Sequence, residues 1–304
     1  MTDALISRFG ATHGPVAGDL DALARALEAI AAAGGDVAEL YPSALSIAAA
    51  GRPIPERVRA VQAHAAAAGV GLTLHAPIPI NFMDRAHADL HWRAGLLSLE
   101  LAAMLAAPVV VFHAGRCHPT AWAREAEALL AFEREALSRL GDAAAARGVK
   151  AAIENISPNP AVIAGGETSY SLEPAALARQ LAEIAHPSVA GCLDLSHALQ
   201  GATLTGTDYL AGVRAMGPWT DHIHVSDVTG ASAPAFVEDA GDRIFFGVGD
   251  MHAPIGWGGI DFENVAAEFR PRPRSTVILE LAGPARFALG ESLEKVRALA
   301  AAIG

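Results

Sequence analysis

Residues 87–115 read HADLHWRAGLLSLELAAMLAAPVVVFHAG, and the change of period inside them decides the fold. Leu90, Ala94, Leu97 and Leu101 recur at steps of three and four, the spacing of one helical face. Beyond Pro108 that period gives way to VVVF, a short β-branched and aromatic run suited to a buried strand. A single imidazole, His113, ends the run.

The same unit repeats along the chain. Strand candidates ALISRF (4–9), DVAELY (36–41), GLTLHA (71–76), PVVVFHA (108–114), VKAAIEN (149–155), VAGCLDL (189–195), DHIHVSD (221–227) and STVILELA (275–282) alternate with alanine-rich helical stretches. Gly34-Gly35, Gly69 and Gly148 fall where helices should stop. Eight repeats with no break in composition predict one α/β domain over residues 1–304, a single (β/α)8 TIM barrel with its active face at the strand C-termini. Two connections, 157–171 and 229–259, are too long for simple turns and are expected to cover that face.

Bulk chemistry narrows the function classes. The net charge is −11, from 33 acids against 22 bases, and only Lys150 and Lys295 are lysines. A nucleic-acid binder that works by electrostatics carries a basic stripe, and none is visible. Hydrophobic residues make up 52% of the chain, yet no run approaches the roughly 18 apolar residues of a membrane span. The opening MTDALISRFG, with Asp3, lacks the basic and apolar regions of a leader, so a cytoplasmic protein is expected. Cys117 and Cys192 stand in no paired motif and are expected to be reduced thiols.

The chemistry sits at the strand exits. His75, His113, Glu154, Asp194, His224 and Glu280 end six successive strand candidates, and His197, Asp250 and His252 follow close behind. Glu154, Asp194, His224 and Glu280 make a hard, mostly oxygen ligand set that suits a divalent ion. The added imidazoles shift the preference toward zinc, with manganese or iron as alternatives, and nine ligands exceed the needs of one ion. Two to three divalent metals are therefore expected, with Glu154 and Glu280 also catalytic. His222 is expected to point away from His224, as a hydrogen-bonded core or supporting group. His13 and His118 are secondary candidates for contact with substrate or ligands.

At these residues the chain resembles the xylose-isomerase-like barrel superfamily (AP endonuclease family 2 and sugar phosphate isomerases or epimerases). Within it, the motifs are similar to those of endonuclease IV, a trinuclear zinc enzyme that cleaves DNA at abasic sites. The resemblance rests on His75 with Asn81 in HAPIPIN, His113-Ala-Gly, Ile153-Glu154-Asn155, Asp194-Leu-Ser-His197, His224-Val-Ser-Asp227, and Asp250-Met-His252 followed by GWGGI. It implies that His75, His113 and Glu154 bind a first metal, with Glu154 bridging to a second. Asp194, His224 and Glu280 would complete the second site, and His197, Asp250 and His252 the third. A hydroxide between metals would then attack phosphorus.

The sequence departs from that family where DNA would be read. LYPSALSIAAAG (40–51) and HAPIPINF (75–82) hold no arginine or lysine, and Ile78 stands where a tyrosine is expected. The expected activity is therefore phosphoester hydrolysis on a small anionic or phosphorylated substrate other than duplex DNA, with no membrane partner. Asn81, Arg116, Arg243 and Arg286 are the candidate substrate contacts. One alternative is a single-metal sugar isomerase or epimerase, in which Glu154 and Glu280 exchange a proton beside a carbonyl and His197 touches substrate. Oxygen chemistry on multinuclear iron and a barrel that only binds a ligand are further alternatives.

Overall fold

The eight apolar runs form eight parallel strands of a closed barrel in the computed structural model, which describes residues 4–304. They are β1 (Ile6–Thr12), β2 (Val37–Leu40), β3 (Gly71–His75), β4 (Val109–His113), β5 (Lys150–Glu154), β6 (Val189–Asp194), β7 (Thr220–Val225) and β8 (Ser275–Leu279). Each strand pairs with its neighbour in sequence, and β8 pairs with β1 to close the ring. The expected (β/α)8 barrel is the observed fold. Asp3 lies outside the described residues.

Helices α1 (Leu20–Ala32), α2 (Pro55–Ala68), α3 (Ala88–Met104), α4 (Pro119–Ala145), α5 (Pro174–Ile184), α6 (Leu195–Thr205), α7 (Tyr209–Met216), α8 (Ala240–Phe246), α9 (Phe262–Glu268) and α10 (Leu289–Ile303) surround or cap the barrel. Their inward residues, such as Leu23, Leu27 and Ile30 of α1, are fully buried. Each aliphatic side chain so buried contributes about 1.5–3 kcal/mol. Asp19 starts α1 by accepting the Asp21 and Ala22 N–H groups. Gly69 ends α2 in the left-handed conformation, at φ 70°, that a side chain would disfavour.

Strand alternation decides what fills the barrel. Residues two apart share a face, so His75 stands above Thr73, Glu154 above Ala152, Asp194 above Cys192 and His224 above His222. Val109, Val111, Ala152 and Cys192 form a small apolar cluster of their own. The layer above is made of acids and imidazoles. The expectation that His222 points away from His224 is thus corrected: both are fully buried, with ring centroids 5.2 Å apart.

The loops after β4 and β5 are tied together by one buried acid. Glu133 of α4 accepts the Gly115 N–H at 2.7 Å and the Gln180 amide at 3.1 Å, with the Tyr170 hydroxyl beside it. Gly115 leaves room for this: a Cβ there would lie 2.7 Å from Glu133 Oε1. Its carbonyl takes a hydrogen bond from Ser169, which crosses to the next loop. Burial, only partly offset by these donors, pushes the Glu133 pKa from 4.5 up to about 7.

Between those values the unfolded chain ionises Glu133 while the folded chain keeps it protonated. Stability therefore falls as pH rises through that window, by about 3 kcal/mol, and stays lowered above it. Glu133→Gln lacks this titration. In urea unfolding at pH 4.5 and pH 7.5 with chelator present, the variant's stability relative to the parent should rise by about that amount. A difference independent of pH would show that Glu133 is ionised in the fold.

Candidate metal centre

All nine expected ligands converge at the C-terminal mouth of the barrel. Glu154 is the hub: Oε2 lies 3.1 Å from His75 Nε2 and 3.2 Å from His113 Nε2, and Oε1 lies 2.8 Å from His224 Nδ1. His224 Nδ1 is also 3.6 Å from Glu280 Oε2. On the far side His197 Nε2 is 3.8 Å from Asp194 Oδ2 and 3.3 Å from Asp250 Oδ2. His252 Nε2 closes the circle, 3.4 Å from Asp250 and 3.5 Å from Glu280.

Local structure explains how the side chains are aimed. Asp194 caps α6, accepting the His197 N–H through Oδ1 at 2.7 Å, which leaves Oδ2 facing the centre. Asn155 exchanges two hydrogen bonds with the Asp194 backbone and locks the ends of β5 and β6 together. Asp227 gathers the Val228, Gly256 and Ile260 N–H groups, folding the long seventh loop back so that Asp250 and His252 reach the mouth. His252 does so with φ at 45°, a strained backbone for a residue other than glycine.

Four groups, Glu154, Asp194, His224 and Glu280, each offer a donor atom within 4.8 Å of the others, and all four are buried. His75, Glu154 and His224 form a second such group, and Asp194, His197 and His252 a third. Asp194 Oδ2 and His252 Nε2 are buried without a hydrogen-bond partner, which fits donors to a cation. Burial would raise the Glu154 pKa, but the imidazoles of His224 and His113 reverse this and hold it well below the usual carboxylate range. Asp194 goes the other way. Burial and the charges of Glu154 and Glu280 outweigh His197 and push it up to about 6.

A cavity of about 180 Å³ opens above the cluster, lined by Tyr41, Ile78, Arg116, Ile156, Ser157 and Asn159 together with all of the nine but Asp194 and His224. The loop after β5 supplies Ser157 and Asn159, and the loop after β7 supplies Asp250 and His252, so both long connections reach the site as expected.

Of the candidate substrate contacts only Arg116 lines this cavity, and its guanidinium is held by the Ile78 carbonyl at 3.0 Å and by Glu167 at 3.5 Å. Asn81 pins the Arg116 backbone instead, donating to its carbonyl and accepting its N–H. Arg286 donates to the Thr12 carbonyl, and Arg243 lies on α8; neither lines the cavity. His13 accepts the Tyr41 N–H, and His118 caps α4.

Sequence reasoning passed over Tyr41 and Glu39. Tyr41 donates to Glu280 Oε1 at 2.7 Å and stacks on His75 with centroids 4.7 Å apart. Glu39 lies fully buried against His222 and His224. An acid near the end of the apolar run DVAELY, with an aromatic two residues on, was the available signal.

The chain belongs to the xylose isomerase-like TIM barrel family, whose sequence profile matches residues 27–299. No curated protein matches it. A solved D-tagatose 3-epimerase-like protein superposes with TM-score 0.69 at 18% identity, covering 98% of each chain. D-allulose 3-epimerase from Methylomonas sp. gives 0.68 at 14% identity, covering 98% of this chain and 100% of the other. A xylose isomerase-like barrel protein from Mycobacterium smegmatis in complex with magnesium gives 0.67 at 14% identity over the whole of both chains.

At such identities the likeness establishes the fold, and the activities belong to those proteins. The expectation of a phosphoester hydrolase is nonetheless corrected, because the solved enzymes just named, on which this barrel superposes along its whole length, are sugar epimerases. The cavity agrees. It has the size for a small molecule, and its one guanidinium is already engaged, so a phosphorylated substrate is not supported either. Among the described residues no helix is long and apolar enough to cross a membrane.

A cation that binds this cluster and not the unfolded chain must stabilise the fold. At about a hundred times its Kd the gain is about 2.7 kcal/mol. Calorimetry with Mn2+ or Mg2+, against a chelated control, should show a higher unfolding temperature; coincident transitions would show that the acids gather no ion.

Proposed function

We propose that the protein is a metal-dependent sugar isomerase or epimerase acting on a small, unphosphorylated sugar. The observation that carries this reading is the pairing of Glu154 and Glu280, with donor atoms within 4.8 Å of each other, at the floor of a small-molecule cavity. Moving a hydrogen on a carbon beside a carbonyl needs one group to take the proton and another to return it. Two carboxylates meet that need.

Glu154 is held ionised by His224 and His113, as a base requires. Glu280 is fixed by the Tyr41 hydroxyl through Oε1, which leaves Oε2 toward the centre. Glu154, Asp194, His224 and Glu280 would hold one divalent ion, a hard donor set suited to manganese, magnesium or cobalt. When bound, that ion polarises the carbonyl and hydroxyl oxygens of the sugar. Tyr41, Ile78 and Ile156 shape the cavity, and Ser157 and Asn159 offer hydrogen bonds to sugar hydroxyls.

The fuller ligand set belongs to the same proposal. His75 and His113 with Glu154, and His197, Asp250 and His252 with Asp194, would bring the total to two to three ions, zinc first and manganese or iron next. Elemental analysis decides it: a single ion per chain would limit coordination to the four-residue set. One domain over residues 1–304 is supported by the hydrogen bond from Leu5 N to the Gly304 carbonyl. The cytoplasmic reading is supported by the free Cys117 and Cys192.

Incubation of the Mn2+-loaded enzyme with a panel of ketopentoses and ketohexoses in D2O tests the reading. Epimer or aldose should form with deuterium at the carbon that exchanged. Glu154→Gln and Glu280→Gln should each lower kcat by about 10²–10⁴ with unchanged circular dichroism. No deuterium uptake into any sugar of the panel would overturn the proposal.

A further inference from the structure

Beneath the proposed ligands lies a polar group with no catalytic reach. Glu39, at the end of β2, is fully buried and far from solvent, where an ionised carboxylate survives only if its oxygens are well partnered. Its Oε2 accepts Thr73 Oγ1–H at 3.0 Å and His222 Nε2–H at 2.8 Å. Two donors on one oxygen fix the plane of the carboxylate. Its Oε1 is then left 2.8 Å from His224 Nε2, close but too oblique for an aligned hydrogen bond, and neither of these two buried atoms has any other hydrogen-bond partner.

His224 faces two ways. Nδ1 points at Glu154 and Glu280, so an ion held by those acids must take the Nδ1 lone pair. A neutral imidazole that gives up Nδ1 as a donor atom carries its proton on Nε2. In this dry interior Glu39 Oε1, 2.8 Å from Nε2, is the carboxylate oxygen placed to receive that proton. The opposite tautomer would set a bare Nε2 lone pair against a carboxylate and close Nδ1 to the metal.

We propose that Glu39, held in place by Thr73 and His222, is a positioning residue that fixes His224 as its Nε2–H tautomer and thereby presents Nδ1 to the metal. It rests on the metal reading given above, but not on the sugar chemistry. Outer partners of metal-bound imidazoles set affinity by 10- to 100-fold. Glu39 sits where such a partner belongs and does not line the cavity.

The test uses the full chain and Mn2+ alone. Glu39→Gln keeps the shape and removes the charge; its Mn2+ Kd, read from the free-ion resonance, should rise 10- to 100-fold while the unfolding temperature in chelator stays within a few degrees. Two-bond proton–nitrogen spectra of histidine-labelled, Mg2+-loaded parent protein should show His224 protonated at Nε2. That readout stands even if the variant fails to fold.

A parent with His224 protonated at Nδ1, or a variant whose Kd lies within twofold of the parent's, would overturn the inference and leave the metal reading intact. A parent that binds no Mn2+ or Mg2+ would overturn both. The result of the sugar assay moves neither readout.

Discussion

Everything at the mouth of this barrel depends on keeping carboxylates ionised where water is excluded. Glu154 is fully buried, and a lone charge there would cost several kcal/mol. Three imidazoles, from β3, β4 and β7, stand within 3.2 Å of its two oxygens and offset that cost. The strands can supply them because parallel pairing brings His113 beside Glu154 in register, and Asp194 beside His224. Closure of the sheet and assembly of the polar layer are thus one constraint seen from two sides.

The fold was legible because its signal is repeated. In residues 87–115 a helical period gives way to a β-branched run, and the pattern recurs often enough that an error in any one element changes little. The convergence of the nine side chains was legible for the same reason: a polar residue closing an apolar run must sit at a strand exit, and in a barrel all exits share one face. Residues without such repetition were harder. Tyr41 is an aromatic in a loop, and nothing in its neighbours says that it reaches across to Glu280. Asn81 lies in a family motif yet spends its side chain on the Arg116 backbone.

Two misreadings have plain physical causes. His222 was assigned to the wrong face, although positions two apart on a strand point the same way. The activity was read from ligand count, and the number of metal-binding side chains does not determine what is done to a substrate. The cavity above those side chains and the free charge available there decide that. Here the cavity is small, and its guanidinium is occupied by Glu167 and the Ile78 carbonyl.

The left-handed backbone of His252 has a consequence for motion. Its carbonyl accepts the Ala282 N–H at 2.9 Å, and the next residue, Ala253, bridges to Asp227, so the strained residue is clamped between the barrel and its own loop. Relaxing the strain would require both clamps to open together. The foot of the seventh loop is therefore held from two sides, whereas its outer turn, carrying the exposed Phe236, Phe245 and Phe246, is fastened chiefly within itself, by Thr229 Oγ1 donating to the Gly247 carbonyl and the Gly249 N–H to the Ala231 carbonyl. One connection thus has two kinds of fastening, a foot tied to the barrel and an outer turn tied mainly to itself.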